Sequence, residues 1–427
     1  MKRSPLLPIF LVVLVDVLGF TMVYPLLPFY ALRFGATPLI ATTLVSVYAL
    51  CSLLSTPMIG RLSDQYGRRR LLLLSQAGTF TGFIVLALSN HLWMLFLGRI
   101  LDGVTAGNLS LAQAYISDRT EPQNRTKAFG IIGIAFGIGF FFGPAMAGWL
   151  STYGLHVPFI VAACLSAGSM VCSYTLLEPG VPANAPAEPA GPGGKRVPAE
   201  PAGPGGKRPG LFDVATYLEY FRRPGLGSLY LQFFLFCLSF SAFMSGFALF
   251  AKSRFDWTPS DVSFMYAYVG LLGIILQGGL LGRLVKRFGE AALALTGFAT
   301  AVVAYVMLGL AGTLAVLVVS ATMSSFSNGV LRPVITSELT QRIGRHEQGV
   351  AIGISGSLNS FAMLIAPPVG GLLLDQDWLL GWALVPASIA ALGLIVALAG
   401  RSRVAAARRA VAAAAGPAAD PVTSVEP

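Results

Sequence analysis

Charge is what this sequence has least of: Asp, Glu, Lys and Arg make up 11% of its 427 residues, where soluble domains carry about 25%. That excludes a water-facing globule. Histidine is nearly absent, at three residues, and the four cysteines (Cys51, Cys164, Cys172, Cys237) sit singly in apolar runs. Neither a disulfide framework nor a metal site follows from such spacing. A glycine loop for nucleotide phosphates and a nucleophile triad are also missing, so neither an ATP-driven pump nor an enzyme is expected. No cofactor is called for. What the chain has is apolar residue, 55% of it, enough for on the order of a dozen membrane crossings at roughly 20 residues each.

Reading the apolar runs between charged or Pro/Gly breaks gives twelve spans. They fall near 6–31, 39–60, 71–89, 92–116, 126–151 and 157–177, and then near 226–251, 260–282, 290–310, 313–338, 348–374 and 379–399. The first run is too long for a signal-peptide core and carries Asp16, so it is read as a retained span. Of 29 Lys and Arg, 24 fall at the N-terminus, in every second connection and in the tail, three (Arg33, Lys252, Arg254) on the other side, and Arg99 and Arg332 inside spans. This asymmetry puts both termini in the cytoplasm. It also accounts for the net charge of +10 through loops beside anionic lipid; no nucleic-acid partner is needed.

The one long gap, 178–225, contains Pro186–Arg196 (PAEPAGPGGKR) repeated as Pro198–Arg208. A Pro/Gly/Ala segment buries no core, so it is read as a disordered cytoplasmic linker with the entry to the next bundle. Residues 1–177 then form one six-helix bundle, 226–400 a second, and 401–427 a flexible tail. The two bundles echo each other. Gly60-Arg-Leu-Ser-Asp64-Gln-Tyr-Gly67 is matched by Gly282-Arg-Leu-Val-Lys286-Arg-Phe-Gly289, 222 residues on. Ser117-Asp118 is matched by Ser337-Glu338, and Gly143-Pro144 with Gly148 by Ala366-Pro367 with Gly371. Repeats at nearly one offset indicate a duplicated unit, an architecture found in transporters.

These residues carry a resemblance. Gly60-x-x-x-Asp64-x-x-Gly67-Arg68-Arg69, Asp16-x-x-Gly19 followed by Pro25-x-x-Pro28, Arg99 with Gly103, and Gly139-x-x-x-Gly143-Pro144-x-x-Ala147-Gly148 resemble the motifs of major facilitator superfamily transporters. Within that family they resemble the twelve-span drug:proton antiporters that include the tetracycline exporters. The resemblance covers about residues 5–400. It implies an all-α polytopic fold of two pseudo-symmetric six-helix bundles in the bacterial inner membrane. It also implies secondary, proton-coupled efflux of a small amphipathic drug or metabolite by a protein expected to act as a monomer. A same-fold importer or uniporter, and a non-transporting receptor or scaffold, stand as alternatives. Tetracycline exporters carry acids in spans 3 and 9 that go with a metal-chelated substrate. Here those positions are Gly82 and about Ala301, so the resemblance points to a multidrug or metabolite exporter instead.

The chemistry-bearing residues follow from position. A carboxylate at the depth of Asp16 costs about 2.5–3.5 kcal/mol to insert and is a functional candidate by default. Arg99 is its expected partner, with Asp102 one turn along from Arg99 as neutraliser or second titrating group. Gly60, Asp64, Gly67, Arg68 and Asp118 form a candidate latch at the cytoplasmic rim, in which Asp64 and Asp118 accept from Arg68 and Gly60 and Gly67 allow close turns. Gly139, Gly143, Pro144 and Gly148 form a close-packing and hinge segment. Substrate-binding candidates are Tyr24, Asn108, Gln277, Asn328 and Arg332, with Phe236, Phe240 and Phe243 from an aromatic stripe in span 7. That stripe fits either a cavity wall or ordinary packing.

Overall fold

The computed structural model describes residues 6–119, 125–177, 214–223, 225–344 and 347–414, and among them there is no strand. The helices are α1 (Leu6–Arg33), α2 (Pro38–Tyr66), α3 (Arg68–Ala87), α4 (Leu92–Val104), α5 (Asn108–Arg119), α6 (Arg125–Ser151), α7 (Val157–Leu176) and α8 (Val214–Arg222). The second half contributes α9 (Leu226–Phe255), α10 (Pro259–Ile275), α11 (Leu281–Phe288), α12 (Glu290–Gly309), α13 (Leu314–Gln341), α14 (Gln348–Asp375) and α15 (Leu379–Ala414). A π-helical turn, Leu276–Leu280, joins α10 to α11, so that Pro259–Phe288 is one crossing. Eleven segments are long and apolar enough to cross a membrane, and they match the expected spans 1–3 and 5–12.

The fourth span is broken. Between α4 and α5 the helix stops at Thr105-Ala106-Gly107, which frees backbone groups that lipid cannot satisfy. Neighbouring hydroxyls take them up. Ser55 donates to the Gly103 carbonyl and Thr56 to the Ala106 carbonyl, each at 2.8 Å. Ser75 donates to the Thr105 carbonyl and accepts from the Gly107 N–H at 3.0 Å. Two spans thus supply the groups that let the third break.

The signature turns recur in both halves. Gly67 (φ 92°), between α2 and α3, and Gly289 (φ 78°), between α11 and α12, hold backbone conformations that only glycine adopts freely. Gly60, in contrast, lies inside α2 with open space where a Cβ would be, so the close approach expected there is absent.

Two expectations about flexible segments need correction. Residues 214–222, assigned to the linker, form α8, which buries Tyr220 and stacks Phe221 on Tyr230 at 5.3 Å. Just beyond α8, Arg223 donates to Glu347 at 2.8 and 3.1 Å and to Glu219 at 2.8 Å. Those bonds from Arg223 hold the Glu347 carboxyl below its ordinary range. The tail is helical as far as Ala414, because Ala and Arg are strong helix formers. Residues 178–213, with the tandem repeat, and 415–427 lie outside the described residues.

The halves meet along α2–α14 and α6–α10, and the contact loosens from one face to the other. Near the face away from the termini, a Cβ on Gly148 (α6) would lie 3.1 Å from Ser263 Cβ, and one on Gly371 (α14) 2.8 Å from Leu39 Cα (α2). Halfway along, Gly270 abuts the Phe140 carbonyl, and Gly137 would reach Ile274 only at 3.6 Å. At the termini face, Gly133, Gly278, Gly282, Gly353 and Gly356 have nothing within 4 Å. The two bundles form a V that opens on the side carrying the termini.

Candidate functional site

Asp16 sits halfway along α1, half-buried. Its neighbours Val17, Leu18 and Thr21 are pressed against α6, where Thr21 donates to the Gly139 carbonyl at 2.9 Å and a Cβ on Gly139 would lie 2.5 Å from Val17 Cγ1. Gly143 likewise abuts Thr21 and Leu18. These two glycines therefore seat α6 on the carboxylate-bearing helix, whereas Gly148 reaches across to α10 and Pro144 is buried within α6.

Asp16 accepts a hydrogen bond from Asn108 Nδ2 at 2.6 Å, and that amide also reaches Thr79 Oγ1 at 3.4 Å. Thr79 in turn lies within hydrogen-bonding reach of the Asp102 carboxylate. Arg99 is paired with Asp102 at 3.0 Å and lies over the Tyr48 ring at 5.5 Å. The chain of contacts Asp16–Asn108–Thr79–Asp102–Arg99 links α1, α5, α3 and α4, and it straddles the break in the fourth span. Break and network belong together, since the break lets Asn108 open a new helix beside Asp16.

This changes the expected pairing. Arg99 is held by Asp102 on its own helix, and Asp16 is bonded to an amide. The i,i+3 spacing of Arg99 and Asp102 satisfies the guanidinium locally. Asn108, expected at the substrate, belongs to the carboxylate network instead. A void of about 10 Å³ adjoins Asp16, lined also by Gln76, Thr79, Asn108, Ser166 and Ser169.

The second half has a neutral counterpart. At offsets of 220 and 222 residues, Asn108 corresponds to Asn328, Phe83 to Tyr305 and Asp16 to Leu238. Tyr305, Asn328, Ser239 and Phe236 line one crevice there, and Asn328 donates to Ser324 at 3.2 Å. Gln277 lies in the π turn, its Nε2 3.9 Å from where a Cβ on Gly329 would be. Arg332, one turn beyond Asn328, is exposed. Asn328 and Arg332 thus lie one turn apart on α13, and Gln277 of the π turn approaches the same helix at Gly329. Tyr24 stands apart on α1, its ring 5.5 Å from that of Phe20.

The aromatic stripe is mostly core. Phe236 and Phe243 are buried, with Phe243 against Tyr305 at 5.2 Å, Phe247 against Tyr266 at 5.4 Å and Phe250 against Trp382 at 5.0 Å. Phe240 is half-buried and stacks on Phe236 at 6.1 Å. Rings spaced along one helix face find partners on α10, α12 and α15, so packing takes most of the stripe from the cavity.

In the candidate latch, Arg68 pairs with Asp64 and donates to Ser63 across the Gly67 turn. The Asp118 side chain lies outside the described residues. Gly82 fills the span 3 position where tetracycline exporters place an acid. A Cβ there would lie 3.0 Å from the Gly98 carbonyl oxygen and 3.2 Å from Asp102 Cβ. A side chain there would be crowded by the Gly98 carbonyl and would stand beside the acid already present on α4.

A model of the Major Facilitator Superfamily matches residues 9–314 and 229–423. The tetracycline resistance protein of class D from Salmonella ordonez is 28% identical over 398 residues, 90% of this chain and 94% of the relative. Multidrug resistance protein 2 of Bacillus subtilis is 24% identical over 367 residues, 86% of this chain and 87% of the relative. A bacterial homologue of the human lysosomal transporter Spinster, solved in an inward-facing, unoccupied conformation, superposes with a TM-score of 0.75 at 15% identity. That superposition covers 94% of this chain and 98% of the other.

Proposed function

Because the chain belongs to the Major Facilitator Superfamily, we propose that it is a secondary exporter that expels a small amphipathic drug or metabolite in exchange for protons. Alternating access of the two bundles is the route. The observation that carries this reading is Asp16, a carboxylate inside the apolar N-terminal half that accepts its hydrogen bond from the Asn108 amide. A carboxylate at such a depth is a functional candidate by default, and taking up a proton and giving it back is the role this reading assigns it.

With both termini in the cytoplasm, as the basic loops imply, the open side of the V is the cytoplasmic side. The state described is then the one that loads substrate. In this reading substrate contacts lie in the C-terminal half, at the uncharged crevice and at Gln277, Asn328 and Arg332, and proton handling in the N-terminal half; the neutral lining of the crevice supports it. α1 couples the two, since the helix that carries Asp16 is the one on which Gly139 and Gly143 of α6 rest, and α6 forms one of the contacts between halves. The Asp64–Arg68 pair latches the cytoplasmic rim when the V closes there. One proton crossing about 150 mV releases roughly 3.5 kcal/mol, which sustains a few-hundred-fold gradient of a neutral substrate at about 1.4 kcal/mol per decade.

The test is proton flux in proteoliposomes holding a pH gradient, with lipophilic cations and neutral amphipathic compounds added in turn. The reading requires at least one compound to dissipate the gradient faster than in protein-free vesicles. Downhill movement of a compound with no proton flux would make the protein a uniporter.

A further inference from the structure

The void beside Asp16 is lined by six polar side chains together with Val12, Val15 and Phe83, and two of the polar residues each carry a buried oxygen without a partner. Gln76 and Asn108 are 2% and 6% exposed. Each uses its amide nitrogen, Gln76 on Ser169 at 2.7 Å and Asn108 on Asp16 at 2.6 Å. Their carbonyl oxygens, Gln76 Oε1 and Asn108 Oδ1, are buried without a hydrogen bond. The orientation of Asn108 is fixed by chemistry, because turning the amide over would set its oxygen against a carboxylate. A buried acceptor left without a partner is disfavoured. Both residues line the same void as Asp16, together with the hydroxyls of Thr79, Ser166 and Ser169.

Charge points the same way. The charged groups near the void are Asp16, Asp102 and Arg99, with Arg99 paired to Asp102. Tyr48 from α2 faces the same group. The α3, α5 and α7 side chains at the void are amides, hydroxyls and apolar groups. Two carboxylates and one guanidinium leave a single negative charge. Hard oxygen acceptors beside one net negative charge suit a hard monovalent cation. A volume of about 10 Å³ is about what one water needs, which favours a small ion. A divalent ion would leave the site positive, and potassium would crowd it.

We propose that the void between α1, α3, α5 and α7 is a binding site for a sodium-sized monovalent cation, held by the Asp16 carboxylate and the carbonyl oxygens of Gln76 and Asn108. The site uses the carboxylate of the proton-coupling reading but stands without it, as sodium is bound there whether or not the proton drives export. If that reading also holds, sodium and the proton are alternative occupants, and a sodium gradient can drive export as well.

The experiment uses the full chain purified in detergent and held at one mildly alkaline pH. Thermal unfolding is followed in equal concentrations of sodium, potassium or choline chloride, and one set of samples is assayed for binding of sodium-22. A ligand of the native state raises the midpoint with the logarithm of its concentration. The expected result is a midpoint that climbs with sodium and not with potassium or choline, and saturable binding of one sodium per chain. Gln76→Leu and Asp16→Asn should each remove both effects. Identical midpoints in the three salts without sodium-22 binding would mean that water alone fills the void, and would overturn the proposal. Sodium binding retained in both variants would place the ion elsewhere and overturn it equally. If a variant does not fold, the salt series and sodium-22 binding of the unaltered chain decide. Sodium binding in a protein whose Asp16→Asn variant still exports with protons would leave this site standing and remove the coupling role, so the two readings fail separately.

Discussion

Asp102 and Arg99 are buried three residues apart on α4, and Arg99 Nε has no acceptor. Asp102 is therefore the group that keeps a guanidinium inside this half. Asp102→Asn keeps the shape and removes the charge, leaving Arg99 unpaired at a predicted loss of about 3–5 kcal/mol. The midpoint of thermal unfolding in detergent measures this, and Arg99→Gln added to Asp102→Asn should recover most of the loss. A single variant as stable as the unaltered chain would mean that Tyr48 alone supports the cation. At this scale the sequence was legible in part. Asp16 stood out because a charge in an apolar run is visible without coordinates, and so did the one-turn spacing of Arg99 and Asp102. The bond from Asn108 to Asp16 was not legible, because it joins residues 92 positions apart and depends on a helix break.

That break is the feature of the elements that the sequence concealed. Thr105-Ala106-Gly107 contains no proline, and its apolar surroundings read as one continuous crossing. The signal lies on other spans, in Ser55, Thr56 and Ser75, whose hydroxyls satisfy the freed backbone. Such a signal can be read only once it is known which helices are neighbours. The other eleven spans and the Gly67 and Gly289 turns were plain from apolar runs and the repeated glycines, because length and positive φ are local properties. Close packing of α3 on α4 also carries a prediction about Gly82. Gly82→Asp forces a side chain against the Gly98 carbonyl and Asp102. Overpacking alone should cost about 1–3 kcal/mol, with repulsion between the two acids added. Expression and thermal midpoint should fall, and no metal–tetracycline export should appear. A stable Gly82→Asp protein that confers tetracycline resistance would show that the position tolerates the acid.

Across the whole molecule, the two halves share a plan and differ in charge. Asn108 and Asn328 occupy corresponding places, yet one faces Asp16 and the other faces Ser324 and a neutral crevice. The duplication could be read from the offsets of 220 to 223 residues. The V shape could not, because contact between halves is a property of one conformational state. In this arrangement the carboxylate is tied to the interface between halves through α1 and α6. The central claim is that Asp16 carries the coupling proton. Inverted membrane vesicles, energised to a proton gradient and supplied with a compound the protein exports, test it most directly by comparing accumulation by the unaltered chain and by Asp16→Asn. The account predicts that Asp16→Asn abolishes uphill accumulation while substrate binding and downhill exchange persist. Accumulation by Asp16→Asn equal to that of the unaltered chain would contradict it.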